Sequence, residues 1–177
     1  MSDSSIREFS VANLYQALDV QRLARELSWR QVADEIWDMS RELNSRRRDH
    51  PISPATLSGM RSRGATSCQH AMFMLHWLGR TPESFLVGDL SPLDAPLPRV
   101  GSDRRLRWSL PQLYEAMNAQ RIERGLTWSA LAKILRCSPS QLTGLRTAKY
   151  ATNIILAMRI TQWVARPSAD FAYAAKW

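Results

Sequence analysis

The sequence predicts an all-α chain made of two tandem domains of about five helices each, and three observations lead there. The chain repeats itself, its apolar residues recur at helical steps of three and four, and helix-start signals stand at matched places in both copies. The repeat is plain in Leu14, Tyr15, Ala17, Arg22, Arg25, Leu27, Trp29 and Ala33. These recur as Leu113, Tyr114, Ala116, Arg121, Arg124, Leu126, Trp128 and Ala132, each pair 99 positions apart. Ser53, Pro54, Leu57, Gly59 and Arg61 return as Ser138, Pro139, Leu142, Gly144 and Arg146 at a spacing of 85, so copy one carries 14 additional residues. Trp77, Arg80 and Phe85 then match Trp163, Arg166 and Phe171 at a spacing of 86. Each copy, roughly 70 to 80 residues, is long enough for a small domain, whereas solenoid repeats are shorter and more numerous. The expected organisation is a first domain at 1–90 with an insertion at 37–52, a linker at 91–108 and a second domain at 109–177.

The elements follow in order. From Val11 to Arg25 the residues Val11, Leu14, Tyr15, Leu18 and Leu23 fall at steps of three and four, which places one stripe of a helix against a core. No alternating strand pattern is seen. Glu26 and Gly125 supply the break before a second helix, whose N-caps are Ser28 and Thr127, with Gln31 completing a capping box in copy one. In copy two this helix ends near Leu135, and Arg136-Cys137 turn tightly into Ser138, an N-cap followed by Pro139 at the first helical position. A third helix from Pro139 to about Thr147 buries Leu142 and Leu145 and turns Ser140, Gln141, Thr143 and Arg146 to the other face. Short helix, tight turn and short polar helix make a helix-turn-helix. A fourth helix from about Thr152 to Ala165 and a fifth from Ser168 close the domain. In copy one the insertion is expected to lengthen the second helix through Trp37, Met39 and Leu43 before Arg46, Arg47 and Arg48.

Charge separates the copies. Residues 1–90 hold 11 basic and 11 acidic side chains, while residues 91–177 hold 13 and 5, so the whole net charge of +8 lies in the C-terminal half. Such a field attracts polyanions, and DNA, RNA and an anionic membrane face all qualify. No apolar stretch approaches the 18 or so residues needed to cross a bilayer, and Met1 to Ser5 lack the basic and apolar regions of a signal peptide, so a cytoplasmic location is expected. Cys68 and Cys137 fall at non-equivalent places, which argues against a disulfide or zinc framework. His50, His70 and His76 have no partners at metal-ligand spacing, and no phosphate loop or nucleophile motif is present, so neither an enzyme nor a cofactor is expected.

Both copies resemble the lambda-repressor-like (XRE-type) helix-turn-helix family of phage and bacterial regulators. The residues that carry the resemblance are Arg121, Gly125-Leu126-Thr127, Leu131-Ala132, Ser138, Leu142 and Trp163 to Pro167, with Arg22, Leu27-Ser28, Val32-Ala33, Ser53, Leu57 and Trp77 to Phe85 in copy one. It implies a sequence-specific double-stranded-DNA-binding transcriptional regulator, a repressor, whose third helix enters the major groove. Carried onto this sequence, the implied contacts are Ser138, Pro139, Ser140, Gln141, Thr143, Gly144, Arg146, Lys149, Trp128 and Arg121, and in copy one Ser53, Ala55, Thr56, Ser58, Gly59, Arg61 and Arg63.

Two departures stand out. Positions that the family often fills with long amides hold Pro139, Ser140 and Gly144, or Pro54, Ala55 and Gly59, so the backbone comes close to the groove floor and short polar groups do the reading. Arg61 and Arg146 replace a family glutamate that pairs with the first-helix arginine, which leaves them for phosphate or for Asp19 and Glu115. Arg46, Arg47 and Arg48 are either a backbone clamp or a solvated loop, and Arg104, Arg105 and Arg107 either a minor-groove arm or a solvated linker. A semi-extended linker reaches roughly 55 Å, more than the 34 Å or so between successive half-sites, so a single chain spanning two unlike half-sites is expected to have an asymmetric target rather than a palindrome. The alternative is a protein-interaction module in which the first domain, which carries no net charge, forms a homodimer or binds a partner protein.

Overall fold

The computed structural model describes residues 6–147 and 152–177, and these are mostly helical. In copy one, α1 (Val11–Ala24) starts where the Ser10 hydroxyl accepts the Asn13 N–H, and α2 (Trp29–Asp38) starts at a reciprocal Ser28–Gln31 capping box. There follow α3 (Arg41–Arg47), α4 (Pro54–Ser58) and α5 (Met60–Arg63), then the apolar α6 (Cys68–Leu78) and a 3-10 turn at Pro82–Phe85. Copy two runs β1 (Arg105–Trp108), α7 (Leu110–Glu123), α8 (Trp128–Leu135) and α9 (Pro139–Thr143). A 3-10 turn at Gly144–Arg146, α10 (Ile154–Trp163), a second 3-10 turn at Ser168–Phe171 and β2 (Ala172–Ala175) complete it.

The repeat read in the sequence is a repeat of structure. α1 and α7 begin 99 residues apart and have equal length, α4 and α9 begin 85 apart, and α6 and α10 begin 86 apart. Details repeat too. Arg22 Nη1 donates to the Leu27 carbonyl at 2.9 Å and its guanidinium lies 4.7 Å from the Trp29 ring, while Arg121 does the same to Leu126 at 2.8 Å and Trp128 at 4.3 Å. Glu26 and Gly125 both take the left-handed conformation (φ 55° and 64°) that breaks the chain before the second helix.

β1 pairs with β2 antiparallel, Trp108 opposite Ala172 and Arg105 opposite Ala175. Copy one holds the same contact as the single bridge Phe9↔Leu86. The expectation of no strand therefore fails for these two four-residue segments. Arg-Leu-Arg-Trp does alternate, but it is too short to stand out, and pairing with the chain's last residues stabilises it. It also lies inside the stretch expected to be linker, so that stretch is not a free string. The segment expected to be a fifth helix is a single 3-10 turn running into β2.

The insertion lengthens the second helix by only two residues relative to α8, through Trp37 but not to Met39 and Leu43. α2 stops at Asp38, and α3 begins afresh because the Ser102 carbonyl receives the Glu42 and Leu43 N–H groups at 3.1 and 3.4 Å. Asn44, fully buried, fixes the corner by donating Nδ2 to the Trp37 carbonyl at 2.8 Å.

The copies meet through equivalent residues. Ser67 and Asn153, 86 positions apart, form an antiparallel bridge, in which Cys68 N–H donates to the Thr152 carbonyl at 2.7 Å and Ile154 N–H to the Thr66 carbonyl at 3.0 Å. Such a contact is isologous and defines a local pseudo-twofold axis. One continuous apolar core runs from Leu14, Val32 and Met72 to Leu113, Leu131 and Met158. Glu83, 2% exposed, crosses between the copies to accept Ser168 N–H at 2.6 Å and its hydroxyl at 2.9 Å.

Candidate nucleic-acid interface

The turn between α8 and α9 is tight because Arg136 takes a left-handed conformation (φ 54°), from which Cys137 N–H returns to the Ala132 carbonyl at 3.0 Å. Ser138 then caps α9, and Gln141 answers by accepting the Ser138 N–H at 2.9 Å. Leu142 and Leu145 are buried against copy two's core. Ser138, Pro139, Ser140, Gln141, Thr143, Gly144 and Arg146 are all exposed. The segment thus forms one solvent-facing surface of small and polar groups, with Arg146 at its edge. Lys149 lies outside the described residues.

Copy one presents a modified version. Ser53 caps α4 at the Thr56 N–H; Ser53, Ala55, Ser58, Arg61 and Arg63 are exposed, and Thr56 and Gly59 half-exposed. Here Arg63 folds back across the helix, donating Nη2 to the Thr56 carbonyl at 2.7 Å and filling the notch at Gly59. A Cβ at Gly59 would stand 2.6 Å from Arg63 Nη1, whereas one at Gly144 meets no described residue within 4 Å. The two outward faces therefore share a backbone and differ in surface: roofed by a guanidinium in copy one, and left open by the described residues in copy two. The charge of Arg63 reaches His70, whose pKa is pushed below the usual histidine value first by burial and then by that repulsion.

Arg121 and Trp128 have internal partners. Arg121 Nε and Nη2 donate to Asn118 Oδ1 at 3.0 and 2.8 Å, and the Trp128 ring is held between Arg121 and Tyr114, whose centroid lies 5.7 Å away. Their work is to fasten the first turn of α8 onto α7. Arg22, Trp29 and Tyr15 repeat this, with Asp19 in place of Asn118. Arg61 and Arg146 pair with neither Asp19 nor Glu115, and neither forms an ion pair among the described residues.

The remaining basic candidates divide. Arg46, Arg47 and Arg48 are exposed, with Arg47 3.4 Å from Asp49. Arg104 is half-exposed beside Asp103. Arg105 is not an arm at all: its buried guanidinium donates to Asn44 Oδ1 and to Asp49, clamping β1 onto the inserted helix α3. Arg107 lies 3.9 Å from the Trp177 ring. Charges from the first copy are also spent on the second, since Glu8 pairs with Arg159 and with Arg136, both at 2.9 Å. Sequence reading missed this N-terminal strap, in which Arg7 N–H donates to Gln162 Oε1 and Gln162 Nε2 to the Arg7 carbonyl, each at 2.8 Å. The only signal was that Arg7-Glu8-Phe9 sits 99 residues before Leu106-Arg107-Trp108.

No helix among the described residues is long and apolar enough to cross a membrane, and no group of three His, Cys, Asp or Glu side chains among them is placed to hold a metal ion. No protein-family model, curated protein or solved structure matches the chain.

Proposed function

We propose that this chain is a sequence-specific double-stranded-DNA-binding transcriptional regulator, acting as a cytoplasmic repressor by occupancy, with two non-identical helix-turn-helix units of the lambda-repressor-like kind. The observation that carries the reading is the exposure of the whole polar face of α9, from Ser138 to Arg146, on a helix whose apolar side is anchored by Leu142 and Leu145. A helix held rigidly from behind, with short side chains in front, suits close approach to base edges in a major groove. The basic surplus of the C-terminal half supplies the sequence-independent attraction to phosphate. In this role Arg146 and Arg61 meet phosphate, Ser140, Gln141 and Thr143 read one half-site, and Ala55, Thr56 and Ser58 read the other. Arg121 and Trp128 position the helices from behind.

The inserted α3 favours this reading over a partner-binding first domain, because it buries Leu43 and Asn44 and Asn44 holds Arg105, a structural task within the chain. Enrichment from a random duplex library tests the proposal. The full chain is expected to enrich a defined short site; recovery of unenriched sequence would contradict sequence-specific binding.

A further inference from the structure

We infer that the chain is the covalently joined counterpart of a symmetric dimer, one molecule of which reads a duplex site whose halves are inverted relative to each other and unlike in sequence. The inference rests on the DNA-binding reading above and revises the expectation of two units strung along a flexible tether. Two domains arranged by translation would touch head to tail, one surface against a different surface. Here equivalent surfaces meet. Ser67 faces Asn153, its own counterpart, and the hydrogen bonds either side of that bridge are reciprocal, Cys68 to Thr152 and Ile154 to Thr66. The contact between Glu83 and Ser168 joins the same pair of 3-10 turns, since Ser168 is the counterpart of Pro82. The segments leading into α1 and α7 also cross over: the carbonyls of the counterparts Arg7 and Leu106 each accept from a glutamine of the opposite copy's apolar helix, Gln162 and Gln69.

A pseudo-twofold relation presents α4 and α9 in opposite senses. Duplex DNA has dyads of its own perpendicular to its axis, so a dyad-related pair of reading helices matches inverted half-sites, as symmetric dimers do. The packed linker keeps the copies in this relation, because Arg105 is buried against Asn44 and Asp49, and Ser102 caps α3. The half-sites differ because the outward residues differ: Ala55, Thr56 and Ser58 stand where copy two has Ser140, Gln141 and Thr143.

The test uses the full chain. Sites selected from a random duplex library are expected to contain two different half-sites in inverted orientation on one face of the duplex, and native mass spectrometry is expected to find one chain per site. The quadruple variant Ala55→Ser, Thr56→Gln, Ser58→Thr, Arg63→Ala gives copy one the reading residues of copy two and removes the guanidinium that roofs its helix, and is expected to select a true palindrome. The reciprocal set Ser140→Ala, Gln141→Thr, Thr143→Ser, made separately, is expected to shift copy two's half-site towards the sequence read by copy one, so a folding failure in one copy does not decide the outcome. Half-sites in head-to-tail order, or two chains on one inverted site, would overturn the inference and leave DNA binding standing. Failure of the wild-type chain to bind any duplex would instead overturn the DNA reading, and the inference with it.

Discussion

Asn44 is fully buried, and its side-chain oxygen receives Nε and Nη2 of Arg105 while its amide donates to the Trp37 carbonyl. Removing the guanidinium leaves that oxygen without a donor, so Arg105→Ala is expected to cost about 1–3 kcal/mol in urea denaturation. The neighbouring Arg104→Ala, at a partly exposed side chain, is expected to change stability by about 0.5 kcal/mol or less. Glu83 offers a pH signature. Burial raises its pKa, and the N–H and hydroxyl of Ser168 offset part of that rise. An acid whose folded-state pKa is raised binds more protons folded than unfolded, so its contribution to stability is present in full at low pH. It declines as pH rises from the ordinary glutamate value through the raised one. Glu83→Gln is expected to remove that decline, seen as a flatter difference in melting temperature across a pH series. An unchanged slope would place the titration elsewhere.

At the scale of elements, the copies exchange residues at two strained turns. Glu26 and Gly125 are counterparts at positive φ, as are Gly79 (φ 66°) and Ala165 (φ 53°). A left-handed alanine costs about 1 kcal/mol relative to glycine, so Ala165→Gly is expected to stabilise the chain by about that amount. The third helices respond to substitution in opposite ways. Gly144→Ala adds a methyl that meets no described residue within 4 Å, at helical φ −63°, and is expected to raise stability by about 0.5–1 kcal/mol, yet, on the proposed DNA-binding role, to weaken duplex binding by holding the helix off the groove floor. Gly59→Ala drives a Cβ into Arg63 and the Ala55 carbonyl and is expected to destabilise by about 1–3 kcal/mol. Circular-dichroism melts check all three.

These elements also mark what was legible in the sequence. Helix starts were, because Ser28, Thr127, Ser53 and Ser138 act through backbone a few residues away. The matched Arg–Trp–Tyr groups were visible as repeats, although not as stacks. The strand Arg105–Trp108, the break at Ser40 and the roof formed by Arg63 were hidden. Each depends on a partner distant along the chain or on a side-chain fold-back: β2, Ser102 and the Thr56 carbonyl. A local pattern does not encode which long side chain turns inward, and Arg105 and Arg104, adjacent and alike, went opposite ways.

For the molecule as a whole, the pseudo-twofold contact makes two similar units one cooperative body. Their apolar residues share a continuous core, and Glu83, Glu8 and Gln162 tie across it. Unfolding followed by tryptophan fluorescence in urea is therefore expected to show a single transition superimposable on that from circular dichroism. Two separated transitions would mean that the copies fold independently.

The central claim is that this body grips duplex DNA through an exposed polar helix supported by basic charge. The most direct measurement is the affinity of the full chain for its selected duplex by fluorescence anisotropy across a salt series. Neutralising six or so phosphates predicts a loss of roughly a thousandfold between about 50 and 200 mM salt. An affinity indifferent to salt, or no binding to any duplex in dilute buffer, would contradict the account.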